Sequence, residues 1–381
     1  MAKPHLRLML SPSSRPYPAH GRCPTGSLFA LTTDASTGLL QLKSNHDHDL
    51  LELVRHAKHV EPEGHVNDIK DALCDVLRGL GRDIKGSLYG LTDKDISFVA
   101  ALSEQVEGFL CQKIFFPELH PLEVDSLISQ NHRSELCDAN SVLLVRHQLE
   151  HARELDRFFK ALTNLMRDDT LCMIEVPDSK QLIAKGEITQ LWEEHVSYFT
   201  SNSLCSTVAN AGFDVLACSE IASDGEELCV VIVRKSRSFA APVKHRDGVI
   251  LADQFVKCLP LQILQLRAKL TALADRFDLY IFGGNHIAGT FLDIVSDAAG
   301  NFTAILDDDP EKHGLALGLF RVPIRPKISR ASKKPIFLLV AVNEGRAPNL
   351  YIRLRKKFSI QKGHALQPLA LFCTESWGSV G

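Results

Sequence analysis

The sequence predicts an α/β protein in which an N-terminal extension precedes two packed α/β domains. Three observations carry this prediction. First, residues 141–146 form a short apolar run. Leu155, Phe158, Phe159, Leu162 and Leu165 then recur at helical spacing, and residues 171–176 form a second apolar run closed by Pro177-Asp178. Strand, helix and buried strand make one βαβ unit. Second, the same kind of series returns near Leu279, with a turn at Gly283-Gly284 and apolar runs at 304–306 and 337–342. Third, a basic stretch containing Pro242 separates the two series and reads as a linker. The boundaries that follow are 1–75 for the extension, 76–235 for the first domain, 236–248 for the linker and 249–381 for the second domain.

The 381 residues suffice for two or three domains. Hydrophobic residues at 45% and charged residues at 23% are ordinary for a globular chain. A net charge of -3 gives no electrostatic case for nucleic acid or an acidic membrane as partner. No apolar run approaches bilayer-spanning length, and the run 6–10 is too short for a signal-peptide core. The 10 cysteines are scattered singly with no Cys-x-x-Cys pair, so reduced thiols and a cytoplasmic location are expected.

Residues 1–40 are rich in Ser, Pro, Gly and Thr and predict loops with a short β element. His46, His48, His56, His59 and His65 follow; no partner shell is evident, so they read as solvated and no metal site is predicted. Leu50, Leu51, Leu53 and Val54, then Ile69, Leu73, Val76, Leu77 and Leu80, predict two amphipathic helices. Later, residues 204–213 read as a helix with Thr200 or Ser201 as N-cap. Residues 215–218 and 228–233 then read as strands joined by Ser223-Asp224-Gly225.

Ligands of such sheets sit at the carboxyl ends of the strands. Arg146, His147, Glu150 and His151 lie just past one such end and Glu175 lies at another. Charged residues there are also the ordinary solvated first turn of a helix. The block from Trp192 to Thr200, with Glu194-His195, would have to return to the same edge.

The stretches RHQLEHAREL, IEVPD and WEEHVSYFT resemble the sugar C-methyltransferases, S-adenosylmethionine enzymes that methylate a carbon of a nucleotide-linked keto-deoxysugar. The resemblance implies a class I methyltransferase-like Rossmann domain followed by a second Rossmann-like α/β domain. It implies S-adenosyl-L-methionine as cofactor and a small nucleotide-linked sugar as partner. Many members of that family open with a cysteine-ligated zinc module; only Cys23 stands in the corresponding region here, so that module is not expected.

The resemblance places the cofactor at residues 84–118. Gly90 and Asp93 match its glycine turn, Arg146 lies at the neighbouring strand end, and Glu118 is the available acid after a second strand near 112–116. The pattern's other positions are occupied by Tyr89, Lys94 and Phe116; Lys94 would stand where a glycine is usual, at positive φ, under strain. For catalysis the resemblance implies His195 as the base that takes a proton next to a ketone, with Glu194 orienting it. His147 and His151 would stabilise the developing oxyanion. Trp192, Tyr198 and Asn343 would contact substrate.

Two other functions fit the same residues. A chain with this altered glycine turn would bind a nucleotide-sugar without methylating it. Strand, Gly283-Gly284, helix, strand and Asp307 also form a loose dinucleotide pattern, which would suit an NAD-linked oxidoreductase, although the glycine spacing departs from G-x-G-x-x-G.

Overall fold

The structure is a computed structural model. It describes residues 6–10, 16–18, 27–44, 64–81, 86–91, 93–106, 109–112, 141–192, 194–223, 226–236, 246–328, 334–342, 349–358, 360 and 364–377. The chain opens with β1 (Leu6–Leu10), β2 (Tyr17–Pro18), β3 (Ser27–Thr33) and β4 (Leu40–Ser44). The extension is thus richer in strands than its Ser/Pro/Gly content predicts. The inward residues Leu8, Leu10, Phe29, Leu31, Leu40 and Leu42 are buried, and this alternation drives the pairing.

Helix α1 (His65–Gly79) realises the second predicted amphipathic pattern, burying Ile69, Leu73 and Leu77. The first pattern, with His46, His48, His56 and His59, lies outside the described residues. Then come β5 (Gly86–Gly90), α2 (Asp93–Gln105), β6 (Phe109–Gln112), β7 (Val142–Arg146), α3 (Leu155–Leu165) and β8 (Leu171–Pro177). Next are α4 (Lys180–Lys185), β9 (Ser197–Tyr198), α5 (Ser201–Asn210), β10 (Phe213–Ser223) and β11 (Glu226–Lys235). Thr200 caps α5 with a reciprocal Thr200–Ser203 capping box.

These strands form a six-stranded sheet in the order β10-β11-β8-β7-β5-β6. Strands β6, β5, β7 and β8 are parallel, and the β10–β11 hairpin adds antiparallel to β8. Every residue of β7 is buried because both faces are covered. Leu143 and Val145 face α3 and α5 through Phe158, Leu162, Leu204 and Val208. Val142 and Leu144 face α1 and α2 through Ile69, Leu73, Phe98 and Leu102. Parallel strands with a closing antiparallel hairpin are the class I methyltransferase Rossmann-like fold that the sequence predicts.

The second unit starts with α6 (Arg246–Arg276) and continues through β12 (Asp278–Phe282), α7 (His286–Val295), β13 (Phe302–Leu306), β14 (Leu315–Leu317) and β15 (Val322–Arg325). It ends with β16 (Ile336–Val340), α8 (Leu350–Lys357), β17 (Ala365–Pro368) and α9 (Leu369–Trp377). Its sheet runs β17-β16-β12-β13-β15-β14-β2, so a strand of the N-terminal extension forms one edge. The remaining N-terminal strands pair in the order β1-β3-β4-β9, which ties them to the Trp192–Thr200 block through Leu40↔Tyr198 and Gln41↔Ser197. Phe29 and Leu31 from that sheet, Phe255, Leu259 and Leu266 from α6, and Phe291 and Leu339 from the second unit share one core.

Helix α6 corrects one expectation. Among the described residues, Gly248–Arg276 is long and apolar enough to cross a bilayer by length and composition. Its Ala252, Phe255, Val256, Leu259, Leu266 and Leu270 are instead packed into that shared core, which accounts for their apolarity.

At the turn after β12, Gly283 has φ 103°, and a Cβ there would lie 2.9 Å from Val342 Cγ2 and 3.0 Å from the Ala341 oxygen. Gly283→Ala therefore meets both backbone strain and overpacking, and should destabilise the full chain by about 2–4 kcal/mol. Urea unfolding followed by circular dichroism measures this; an unchanged midpoint would contradict the tight approach of β12 and β16.

Candidate active site

Strand β7 ends at Arg146, and His147 turns the chain with φ 48°, a left-handed conformation that His adopts more readily than most residues. Its backbone N–H donates to the Glu175 oxygen at 3.1 Å, so the turn is pinned to the end of β8. The following 3-10 turn, Leu149–His151, buries Glu150 at the sheet edge. The Trp192–Thr200 block returns to that edge: the Val196 N–H donates to the Glu150 backbone oxygen at 2.8 Å.

Beneath the edge lies a buried ionic hub. Glu175 is 0% exposed and receives Arg146 through Nε at 3.1 Å and Nη2 at 3.0 Å, His65 Nε2 at 2.7 Å, and His147 Nε2 at 3.1 Å. Burial alone would raise the Glu175 pKa, but the hydrogen bonds of His147 and His65 and the Arg146 charge hold it well below the usual carboxylate range. For His147 burial favours the neutral ring, yet hydrogen bonds and charges from Glu150 and Glu175 push its pKa up to about 10. His147 is therefore an imidazolium clamped between two carboxylates. The Arg146 guanidinium also lies 3.6 Å from the Phe98 ring centroid. The structure thus places Arg146 and His147 in the supporting frame: both are held by Glu175, and neither lines the cleft described below. His65 belongs to the same frame, so it corrects the expectation of a solvated histidine.

Above the hub is a layer of rings. His151 Nδ1 contacts the Glu194 backbone oxygen at 2.9 Å; a carbonyl can only accept, so Nδ1 carries the proton. The His151 and His195 rings meet edge to face at 4.8 Å, and His195 lies 4.7 Å from Trp192. His286, the first residue of α7, stacks on Trp192 at 4.5 Å and 27°. This histidine from the second unit was not singled out by sequence reasoning; its one signal was its place directly after the Asn285 cap of the glycine turn. Tyr198 Oη accepts from the Trp192 N–H at 2.9 Å and donates to the Trp192 oxygen at 2.9 Å, so it fixes the block's loop. The Glu194 carboxylate is buried beside this layer.

Trp192, His195, Tyr198 and His286 line a cleft of about 670 Å³ between the two units. Asp178, Lys185, Glu187 and Glu227 supply its charged groups on one side, and Val340, Ala341 and Leu371 its apolar wall on the other. The cleft lies beyond the ends of β8, β12 and β16, where a ligand of such sheets is expected.

The predicted cofactor residues are placed in part. Gly90 ends β5, which pairs with β7 on one side and with β6 on the other. A Cβ on Gly90 would lie 2.6 Å from Asp95 Cβ, so glycine lets α2 close onto the strand end. Asp93 begins α2, whereas Glu118, Phe116 and Asn343 lie outside the described residues. One correction follows. Lys94 is the second residue of α2 and is not among the positive-φ residues, so it carries no backbone strain. Strand β6 covers Phe109–Gln112, and the rest of the second strand expected near 112–116 lies outside the described residues.

In the second unit Asp307 accepts from the Gly284 N–H at 2.6 Å and the Asp309 N–H at 2.9 Å, and pairs with Lys312 at 3.2 Å. These contacts use the carboxylate to close the turn after β12.

The first unit thus has the class I methyltransferase Rossmann-like fold. In agreement, the family model described as "Methyltransferase domain" matches residues 117–217. No curated protein matches the chain. Among solved structures, 1,6-didemethyltoxoflavin-N1-methyltransferase from Burkholderia thailandensis is 13% identical with a TM-score of 0.28, covering 55% of this chain and 96% of its own. Magnesium protoporphyrin IX methyltransferase from Synechocystis PCC 6803 is 11% identical with a TM-score of 0.29, covering 48% and 91%. A putative sarcosine dimethylglycine methyltransferase from Galdieria sulphuraria is 9% identical with a TM-score of 0.30, covering 45% and 86%.

Proposed function

We propose that this protein is an S-adenosylmethionine-dependent C-methyltransferase acting on a small carbonyl substrate of the nucleotide-linked keto-sugar class. The observation that carries the reading is the convergence of Glu150, His151, Trp192 and His195 at the strand ends, where Trp192 and His195 line a cleft of about 670 Å³. Gly90 and the start of α2 form the strand–turn–helix corner in which such a cofactor would be held. The cofactor supplies an electrophilic methyl group. The chain's part is to make the accepting carbon nucleophilic. His195 lines the cleft and takes the proton next to the ketone. His151, its Nδ1 held by the Glu194 backbone oxygen, donates from Nε2 to the enolate oxygen when protonated. Trp192 packs against the sugar ring, and Lys185 faces the linking phosphates.

Calorimetric titration of the full chain with S-adenosylhomocysteine tests this. Binding with a dissociation constant of about 100 µM or tighter, near -5.5 kcal/mol, is expected. No heat with that ligand, alongside binding of a nucleotide-sugar, would replace this reading with the non-methylating one; Tyr89 and Lys94 at the corner make that the informative contrast.

A further inference from the structure

We infer that Glu150, His151 and His195 form a binding site for a divalent first-row transition-metal ion. A carboxylate oxygen and two ring nitrogens of these residues all lie within 4.8 Å of one another. Ligands around a tetrahedral ion stand ~3.4 Å apart at metal–ligand distances of ~2.1 Å, so a small closure of the rings completes the site. Two His and one carboxylate form a donor set suited to Zn, Fe, Co or Mn.

The protonation pattern points the same way. His151 Nδ1 donates to the Glu194 backbone oxygen, which leaves Nε2 as the basic nitrogen of the neutral ring. That nitrogen faces Glu150 Oε1 across 3.9 Å. A cation bound between these two atoms would be held by both. Glu150 is 1% exposed, and among the described residues neither carboxylate oxygen has a hydrogen bond of normal length, with His147 Nδ1 at 3.5 Å and His151 Nε2 at 3.9 Å from Oε1. A buried carboxylate held by such long contacts would gain from an ion placed among them. The surroundings are those of a built site. The carbonyl behind His151 fixes its tautomer and orientation, as partners of ligating histidines do. His147, 3.5 Å from Glu150 Oε1 and held by Glu175, steadies the carboxylate from below.

Three protein ligands leave a coordination position open, and because His195 lines the cleft, that position faces it. What the ion does there rests on the function proposed above: it would polarise the substrate's carbonyl oxygen. The site then has two working states. Without metal, the His195 imidazole is the base at the cleft. With metal, His195 would be a ligand and no longer the free base, and the ion's charge would acidify the carbon next to the carbonyl it holds.

The test uses the full chain freed of metal by dialysis against a chelator. Zn²⁺ is titrated by calorimetry and Co²⁺ by its visible absorption. A single saturable site of micromolar affinity or better is expected, with Co²⁺ bands of four- or five-coordinate geometry. Glu150→Gln and His195→Gln should each weaken binding ~100-fold or more, since even residues behind the ligands are worth ~10–100-fold. Absence of saturable binding would overturn the inference. So would undiminished binding by both variants, which would place the ion on other histidines. Should Glu150→Gln fail to fold by circular dichroism, His195→Gln, whose ring borders the cleft, decides alone. S-adenosylhomocysteine binding measured on the same samples reports separately on the proposed function.

Discussion

Glu175→Gln should destabilise the protein by about 3–5 kcal/mol, a large part of the 5–15 kcal/mol that typically separates folded from unfolded domains. The amide keeps the shape of the side chain but removes the carboxylate charge that Arg146 Nη2 meets at 3.0 Å, with His147 and His65 against the same carboxylate. Taking one partner from a buried ion network strands the others in a medium that solvates them poorly, so the loss exceeds any benefit the pair confers. The exposed Arg78–Asp75 pair, with side chains 66% and 78% exposed, is the control: Asp75→Asn should change stability by less than about 0.5 kcal/mol. Urea unfolding of the full chain reads both. The pH dependence has a definite sign. Because the folded Glu175 pKa is depressed, its contribution is complete above the unfolded carboxylate value and is lost as pH falls through the folded one. The variant should show a shallower acid limb. Superimposable unfolding curves would mean that the hub does not hold β7 and β8 together.

His195→Ala should lower turnover of a keto-sugar substrate by about two to four orders of magnitude while leaving S-adenosylhomocysteine binding intact. The ring borders the cleft and packs against His151 and Trp192, whereas the cofactor corner at Gly90 and α2 lies on other strands. A merely structural role would instead lower stability and cofactor binding together. Glu194→Gln should cost less, since it retains shape and hydrogen bonding and leaves untouched the backbone oxygen that accepts from His151. A wild-type rate in His195→Ala would remove the imidazole from the mechanism.

The two variants sit at different depths, and that difference was only partly legible beforehand. Arg146, His147, Glu150 and His151 could be assigned to a strand end from their position after an apolar run. Which of them face the ligand could not, because neighbours around a turn point in directions set by backbone angles. His147 takes φ 48° and is carried down onto Glu175, while His151 four residues later meets the His195 ring. His65 looked like one more histidine of a polar stretch; only the packing of α1 on the sheet brings it 2.7 Å from Glu175, 110 positions away.

The sequence by itself determined the alternation of strands and helices, the antiparallel hairpin at the end of the first sheet, the cap of α5 and the two glycine turns. Each is a local consequence of side-chain period or of backbone freedom within a few residues. Tertiary structure alone decided that the N-terminal strands join both β9 and the edge of the second sheet, that α6 is a shared core helix, and that His286 stacks on Trp192. Those contacts link residues far apart in the chain, and they are chosen by which apolar faces remain to be buried once the local elements have formed.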